Sequence, residues 1–288
     1  MPTVAFHTSK ILAFGTIARP SNVVLFFLAI LLGAFVTSGI SAFEEPKVWL
    51  AAISGTLVGA AANVINDVMD IEIDRINKPK RPLISGALTA QEARWYWLAL
   101  SALGILTAAW ISLPHLMIAV SATAVLYAYS AALKHIALLG NIVVSAVVSL
   151  GLIYAALAVG DLSALWFPVT FCFFFNLGRE ILKDLEDTEG DKAGGANTLP
   201  LKIGTVKTLY VISIIYLSVV ALSLVPYFQG CYGKWYLLSV VLTTDAIMLY
   251  VIVRAWQTQT KENFYRLNSL LKWAMLTGIV AIALGQLE

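Results

Sequence analysis

The chain has 288 residues, is 59% hydrophobic and only 12% charged, and carries a net charge of +2. A soluble globular domain has about 25% charged residues, so most of this chain belongs in lipid. So small a charge gives no sign of a nucleic-acid partner, and nothing in the composition implies a protein partner.

Residues 11–18 form a short apolar stretch without a typical cleavage site. They read as an interfacial segment or a plain extension rather than a cleavable signal. Nine apolar segments follow, near 21–40, 48–66, 94–112, 115–133, 139–159, 164–182, 206–226, 235–254 and 269–286. Each is long enough to cross a bilayer at about 20 residues per span. The expected fold is therefore all-α: a polytopic membrane protein of nine transmembrane helices around a central cavity. With the N-terminus cytoplasmic, 17 of the 19 Lys and Arg residues fall inside, and only Lys47 and Lys234 fall outside. That asymmetry supports both the span count and the orientation. Trp49, Trp95, Trp97, Trp166, Trp235 and Trp273 sit at span ends, as an aromatic belt requires.

The long polar loops, near 67–93, 183–205 and 255–268, are all on the inner side, so the chemistry is expected at the cytoplasmic face of a cell membrane. Cys172 and Cys231 read as unpaired thiols, and His7, His115 and His135 show no ligand spacing. Asp245, alone in span eight, reads first as a structural hydrogen-bonding group.

The first inner loop opens on Asn66-Asp67-Val68-Met69-Asp70-Ile71-Glu72-Ile73-Asp74. The third span pair ends on Lys183-Asp184-Leu185-Glu186-Asp187-Thr188-Glu189-Gly190-Asp191. Both place aspartates at i, i+3 and i+7, one face of a helix. Three carboxylates on one stripe repel unless a cation sits among them. Asp67, Asp70, Asp74, Asp184, Asp187 and Asp191 thus read as two halves of a catalytic Mg²⁺ cage for a diphosphate. The Asn66 amide would add a ligand or orient an aspartate. Basic neighbours, Arg75, Lys78 and Arg81 by the first triplet and Arg179, Lys183 and Lys192 by the second, read as diphosphate-binding groups. Glu72, Glu186 and Glu189 lie off the stripe and read as solvated. Each triplet is followed by a Pro/Gly-containing turn, Arg81-Pro82-Leu83 and Thr198-Leu199-Pro200. This suggests one domain over 1–288 with two pseudo-repeat halves, roughly 20–135 and 139–288.

This pattern resembles the UbiA-type intramembrane prenyltransferase family over nearly the whole chain. The resemblance rests on the nine spans and on the paired motifs Asn66-Asp67-x-x-Asp70-x-x-x-Asp74 and Asp184-x-x-Asp187-x-x-x-Asp191. It implies a helical bundle around a cavity and Mg²⁺-dependent transfer of an isoprenoid from its diphosphate to a hydrophobic acceptor. Residues 178–191, continued through Asn197-Thr198-Leu199-Pro200, are similar to one branch, as are Arg19-Pro20-Ser21-Asn22 and Gly140-Asn141. That branch geranylgeranylates geranylgeranylglyceryl phosphate in membrane ether-lipid synthesis. The resemblance makes Arg19, Asn22 and Lys134 candidates for acceptor binding. It adds Tyr129, although its spacing from Lys134 is wider than in relatives.

An aromatic or chlorophyllide-type acceptor is the alternative. Acceptor-free cyclisation or hydrolysis of the diphosphate, and cation transport, are weaker readings. Transport sites lie near the bilayer midplane, whereas these acids lie at span ends among cations. A carbocation formed from the prenyl group needs a dry cavity with aromatic faces. The Phe171-Cys172-Phe173-Phe174-Phe175 run in span six could supply them, though ordinary packing is the favoured reading.

Overall fold

The computed structural model describes residues Lys10–Leu287; His7 lies outside the described residues. The chain forms helices α1 (Lys10–Ile17), α2 (Pro20–Ser38), α3 (Pro46–Met69), α4 (Ile71–Asn77), α5 (Ala90–Ile111), α6 (Leu113–Ala131) and α7 (Leu139–Ala156). It continues with α8 (Trp166–Ala193), α9 (Leu199–Ile203), α10 (Thr205–Phe228), α11 (Lys234–Ser239), α12 (Ala246–Gln257) and α13 (Lys261–Gln286). Among the described residues there is no strand, only an isolated bridge between Ile136 and Asn197. Lipid offers backbone groups no hydrogen-bond partners, so spanning segments must satisfy their own, as helices do.

Sequence signals explain the helix starts. Proline stands at the first turn of α2, α3 and α6, where its missing N–H costs nothing. Thr89 and Glu92 form a reciprocal capping box at the head of α5. Short 310 and π turns extend or interrupt the spans: Gly39–Glu44 follows α2, and Val240–Asp245 joins α11 to α12 within one span.

Seven helical stretches are long and apolar enough to cross a membrane: α2 with its 310 extension, α3, α6, α7, α10, α11 through α12, and α13. The other two expected spans, 94–112 and 164–182, fall largely within α5 and α8, which are helical but less apolar. α5 is diluted by Arg94, Trp95, Tyr96 and Trp97, and α8 carries charges throughout its C-terminal half. Large side chains face outward around the bundle, among them Trp110 (84% exposed) and Leu242 (71%), as a lipid-facing surface requires.

Inside the bundle, packing rather than water expulsion holds the spans. Small residues bring α3 and α5 together: Ala51, Ala52, Ala60 and Ala61 are buried on α3, Ala93, Gly104 and Ala108 on α5. The Ser54 hydroxyl donates to the Gly104 carbonyl at 2.8 Å. A second core joins α8, α10, α12 and α13 through Ile181, Leu182, Tyr216, Met248 and Leu271.

His115 is buried between Ser112 Oγ (2.7 Å) and the Tyr154 carbonyl (3.0 Å). Asp245 is buried and accepts from Ser223 at 2.8 Å, a structural bond between α10 and the π turn. The Phe run of span six is mostly packing. Phe171 and Phe175 stack on each other in the core, and of the five residues only Cys172 lines the central cavity. Cys172 and Cys231 are free thiols.

The first acidic triplet does not lie on one unbroken helix. α3 ends at Met69, Asp70 takes a non-helical φ/ψ of −94°/10°, and α4 resumes at Ile71. The i→i−4 ladder survives the bend through Asp70 N–H to Asn66 O (3.0 Å) and Asp74 N–H to Asp70 O (2.7 Å). The second triplet is carried wholly by α8.

Candidate active site

α4 packs on the C-terminal end of α8. Its Asn77 amide donates to the Asp187 carbonyl (2.9 Å), and Asn77 Oδ1 accepts from Gly190 N–H (3.2 Å) and from Lys261 (3.1 Å). Gly190 permits this approach, because a Cβ there would stand 2.3 Å from the Asn77 amide nitrogen. The two acidic triplets, far apart in sequence, are thereby brought to one place. Asn66, Asp70, Asp74, Asp184, Asp187 and Asp191 line a polar pocket of about 80 Å³, with Arg81, Lys134 and Tyr129 in the same wall.

Five of the six aspartates already have a charged or amide side-chain partner within the chain. Asp67, 3% exposed, binds Arg19 at 2.6 Å and Arg81 at 2.9 Å; Arg81 also pairs with Asp74. Lys134 pairs with Asp70 at 2.5 Å, and the Asn66 amide donates to the other Asp70 oxygen at 2.9 Å. Lys78 bridges Asp187 (2.9 Å) and Glu186. The Asn141 amide donates to Asp184 at 3.0 Å. With cations holding them apart, the carboxylates are not drawn into a cluster: among the described residues no three His, Cys, Asp or Glu side chains are arranged to hold a metal ion.

Electrostatics show what that arrangement withholds. Burial, reinforced by the charges of Asp67 and Asp70, pushes the Asp74 carboxyl up to about 6 despite Arg81. Burial and the charges of Asp187 and Asp70 push Asp191, on the overhang of α8, up to about 7. Burial pulls the Lys134 ammonium down against the pull of Asp70. Buried, crowded acids hold protons more tightly than free carboxylates, and a divalent cation among them would relieve their mutual repulsion. The donor set consists of carboxylate and amide oxygens, a hard set that suits Mg²⁺.

The polar pocket adjoins a larger cavity of about 380 Å³ inside the bundle; Arg19, Tyr129, Glu180 and Lys183 line both. Its apolar walls include Phe26, Ile30, Gly55, Ala119, Val147 and Tyr154, drawn from α2, α3, α6 and α7. From the level of Asn141 to Tyr154 is thirteen residues along α7, about 20 Å of helix. Tyr129 lies within electrostatic reach of Glu180, Asp184 and Asp70.

The other expected site residues are placed as follows. Asn22 lines the large cavity. Arg179 and Lys183 do not contact the aspartates; they pair with Glu180, at 3.4 and 2.8 Å. Lys134, expected on the acceptor side, sits among the aspartates instead. Lys192 is exposed and lines neither chamber. Arg75 is exposed and pairs with exposed Glu72. Glu186 corrects its expectation: it is 5% exposed, not solvated, because Lys78 and the Asn268 amide (2.8 Å) enclose it. Glu189 is exposed as expected.

Sequence reasoning missed Glu180, Asn176, Asn268 and Lys272. The first two had a signal: Asn176, Glu180, Asp184, Asp187 and Asp191 continue one stripe along α8 at spacings of four, four, three and four. Two local distortions also mark the site. Arg19 (φ 58°) and Leu138 (φ 67°) are the described non-glycine residues with left-handed φ, and such strain collects at functional positions. Gly140 lets α7 start against Lys134, whose Cα would lie 2.6 Å from a Cβ at 140.

A helical membrane bundle with two carboxylate runs over an apolar cavity defines an intramembrane enzyme acting on a polar-headed isoprenoid. The chain belongs to the UbiA prenyltransferase family, which matches residues 21–276. It is a multi-pass membrane protein and a prenyltransferase. It is 35% identical to the digeranylgeranylglyceryl phosphate synthase of Thermococcus kodakarensis, over 96% of this chain and 98% of that one. A solved structure of digeranylgeranylglyceryl phosphate synthase in membranes is 31% identical, with a TM-score of 0.72 over 97% of this chain and 99% of that chain. A UbiA homolog from Archaeoglobus fulgidus bound to DMAPP and Mg²⁺ shares the fold: its TM-score is 0.68 at 21% identity, over 95% of this chain and 99% of that one.

Proposed function

We propose that this protein transfers a geranylgeranyl group from its diphosphate to the free hydroxyl of geranylgeranylglyceryl phosphate, with Mg²⁺, at the cytoplasmic face of the membrane. One observation carries the reading. Both carboxylate runs line a single polar pocket, and that pocket shares Arg19, Tyr129, Glu180 and Lys183 with an apolar cavity running along the helices. A diphosphate head and an isoprenoid tail need those two environments side by side. The named relatives support the same substrates. The A. fulgidus homolog, bound to a prenyl diphosphate and Mg²⁺, supports the metal. The inner-face assignment rests on the Lys/Arg asymmetry.

Asp70, Asp74, Asp184, Asp187 and Asp191, with Asn66, would hold Mg²⁺ together with the diphosphate; Asp67 would anchor Arg19 and Arg81 beside it. Bound metal would supply Lewis-acid neutralisation of the leaving oxygens. Lys78, Arg81 and Lys134, now paired to carboxylates, are the groups free to turn to diphosphate oxygens once those carboxylates are otherwise engaged. The allylic C–O bond breaks, its electron pair leaves with the diphosphate, and the hydroxyl oxygen forms the new ether bond while losing its proton. The dry walls keep water from capturing the cation, and the faces of Tyr129 and Phe26 can stabilise it.

The purified protein should convert geranylgeranyl diphosphate to a new lipid only when geranylgeranylglyceryl phosphate is supplied. Homogentisate and a chlorophyllide serve as rival acceptors. Preferential use of either, or release of an alcohol or cyclic product without acceptor, would overturn the assignment.

A further inference from the structure

We propose that Arg179, Lys183 and Lys272 form a subsite for the phosphate monoester of the acceptor, separate from the carboxylate pocket that receives the donor's diphosphate. The assignment rests on the transferase reading above.

The Lys and Arg side chains that line the two chambers divide by their partners into two sets. Arg19, Lys78, Arg81 and Lys134 are held by the aspartates and Glu186. The second set lines the larger cavity, as Arg19, Lys78 and Arg81 also do, but among the described residues forms no ion pair with an aspartate or Glu186. Arg179 and Lys183 lie one helical turn apart on α8, and Lys272 enters from α13; all three line the same wall. Lys272 feels the positive charges of Arg179, Arg19 and Lys183 more than the negative charge of Glu186, and it is fixed by donating to Ser21 Oγ at 3.0 Å.

Among the described residues one carboxylate, Glu180, forms ion pairs with this second set, while Glu186 and Asp187 of the same cavity are taken by Lys78. Glu180 accepts from Lys183 at 2.8 Å and from Arg179 at a long 3.4 Å. Three cations against one anion leave two positive charges, which is the complement of a phosphate monoester dianion. Like charges gathered in a partly buried cavity repel each other unless an anion joins them. The Arg179 Nε–H points the same way, since it is buried and has no hydrogen-bond partner among the described residues. A buried guanidinium donor left unpaired is costly. A phosphate, which arginine binds in bidentate fashion, satisfies it.

Placement fits the reaction. Lys183 lines both chambers. In the acceptor, the free hydroxyl is on the carbon next to the one bearing phosphate. A phosphate held at Lys183 therefore presents that hydroxyl to the boundary between chambers, where the donor's allylic carbon leaves its diphosphate. A carboxylate-bearing aromatic acceptor brings one charge and would leave half the excess uncompensated. The subsite therefore selects the acceptor class.

Lys272 touches no aspartate, so Lys272→Gln and Lys272→Arg test the subsite with the donor pocket intact. At saturating donor, K272Q should raise the acceptor KM by at least about tenfold, leave the donor KM within about twofold, and be largely rescued in K272R. Geranylgeranylglycerol, which lacks the phosphate, should be a poor acceptor used equally by wild type and K272Q. Equal rises in both KM values, no rescue by arginine, or an undiminished K272Q defect with the neutral acceptor would each overturn the proposal. A second readout needs no turnover. Glycerol 1-phosphate, in detergent and without Mg²⁺, should raise the Tm of wild type and of K272R but not of K272Q, and no shift in wild type would also overturn it. A Tm shift confined to proteins with a cation at 272, in a protein that prenylates only an aromatic acceptor, would keep the anion subsite and sink the acceptor assignment instead.

Discussion

Asp67 and Asp184 occupy matching sequence positions but differ in surroundings, and the difference predicts different mutants. Asp67 is clamped by Arg19 and Arg81; Asp184 meets the Asn141 amide. Asp67→Asn should abolish turnover and also lower stability, by on the order of 1–3 kcal/mol. That is less than for a fully buried pair, because both arginines keep about a fifth of their surface in water. Asp184→Asn should cut kcat by about 100-fold or more with little change in Tm, since an amide oxygen still accepts from Asn141. Near-normal activity in purified Asp184→Asn would be incompatible with the proposed cage, and in purified Asp67→Asn with the proposed anchoring of Arg19 and Arg81. The raised acids predict a pH effect of defined sign. Asp74 at about 6 and Asp191 at about 7 must lose protons before binding metal. The Mg²⁺ concentration for half-maximal rate should therefore fall as pH rises from about 6 to about 8. A flat Mg²⁺ titration across that range would refute it. Without metal the linkage reverses: acids raised in the fold stabilise it least at high pH, with the loss running from about pH 4 up through their folded values. The six aspartates were legible as a group because their spacing repeats. Glu186 was not, because its burial depends on Lys78 and Asn268, 108 and 82 residues away.

At the scale of elements, the hydrophobic runs made the seven long apolar helices readable, since lipid leaves such a segment no other backbone solution. What they concealed was the bend at Asp70 and the docking of α4 on α8. Neither is a matter of local pattern; both depend on Asn77 meeting the α8 backbone. Gly190→Ala tests the docking. Its Cβ would drive Asn77 away, separating the two carboxylate runs at a cost of about 1–3 kcal/mol from overpacking. Activity should fall far more than expression, with the donor KM rising. Unchanged donor KM would mean that α4 can be displaced without consequence for diphosphate binding.

At the scale of the whole molecule, the central cavity was expected from the resemblance, while its walls were not. The Phe run of α8 was a candidate, with ordinary packing the favoured reading, and Phe171 and Phe175 do face the core while Phe174 is exposed. Phe26, Ala119 and Tyr154 were inconspicuous among dozens of apolar residues whose orientation only the packed bundle decides. Ala119→Phe should obstruct the cavity partway along. The variant should lose geranylgeranyl diphosphate as donor while keeping dimethylallyl diphosphate, measured as a ratio of kcat/KM values. Parallel loss of both donors would place the prenyl chain elsewhere.

The cation–carboxylate pairs around Asp67, Asp70, Asp74 and Asp187 have a consequence for the protein's life between turnovers. A pocket of bare acids at the end of the bundle would be forced open by mutual repulsion whenever no metal was bound. Here the lysines and arginines act as tenants that keep the room standing. Stripping the ion should silence the enzyme without melting it, and restoring the ion to washed membranes should return full activity with no new synthesis.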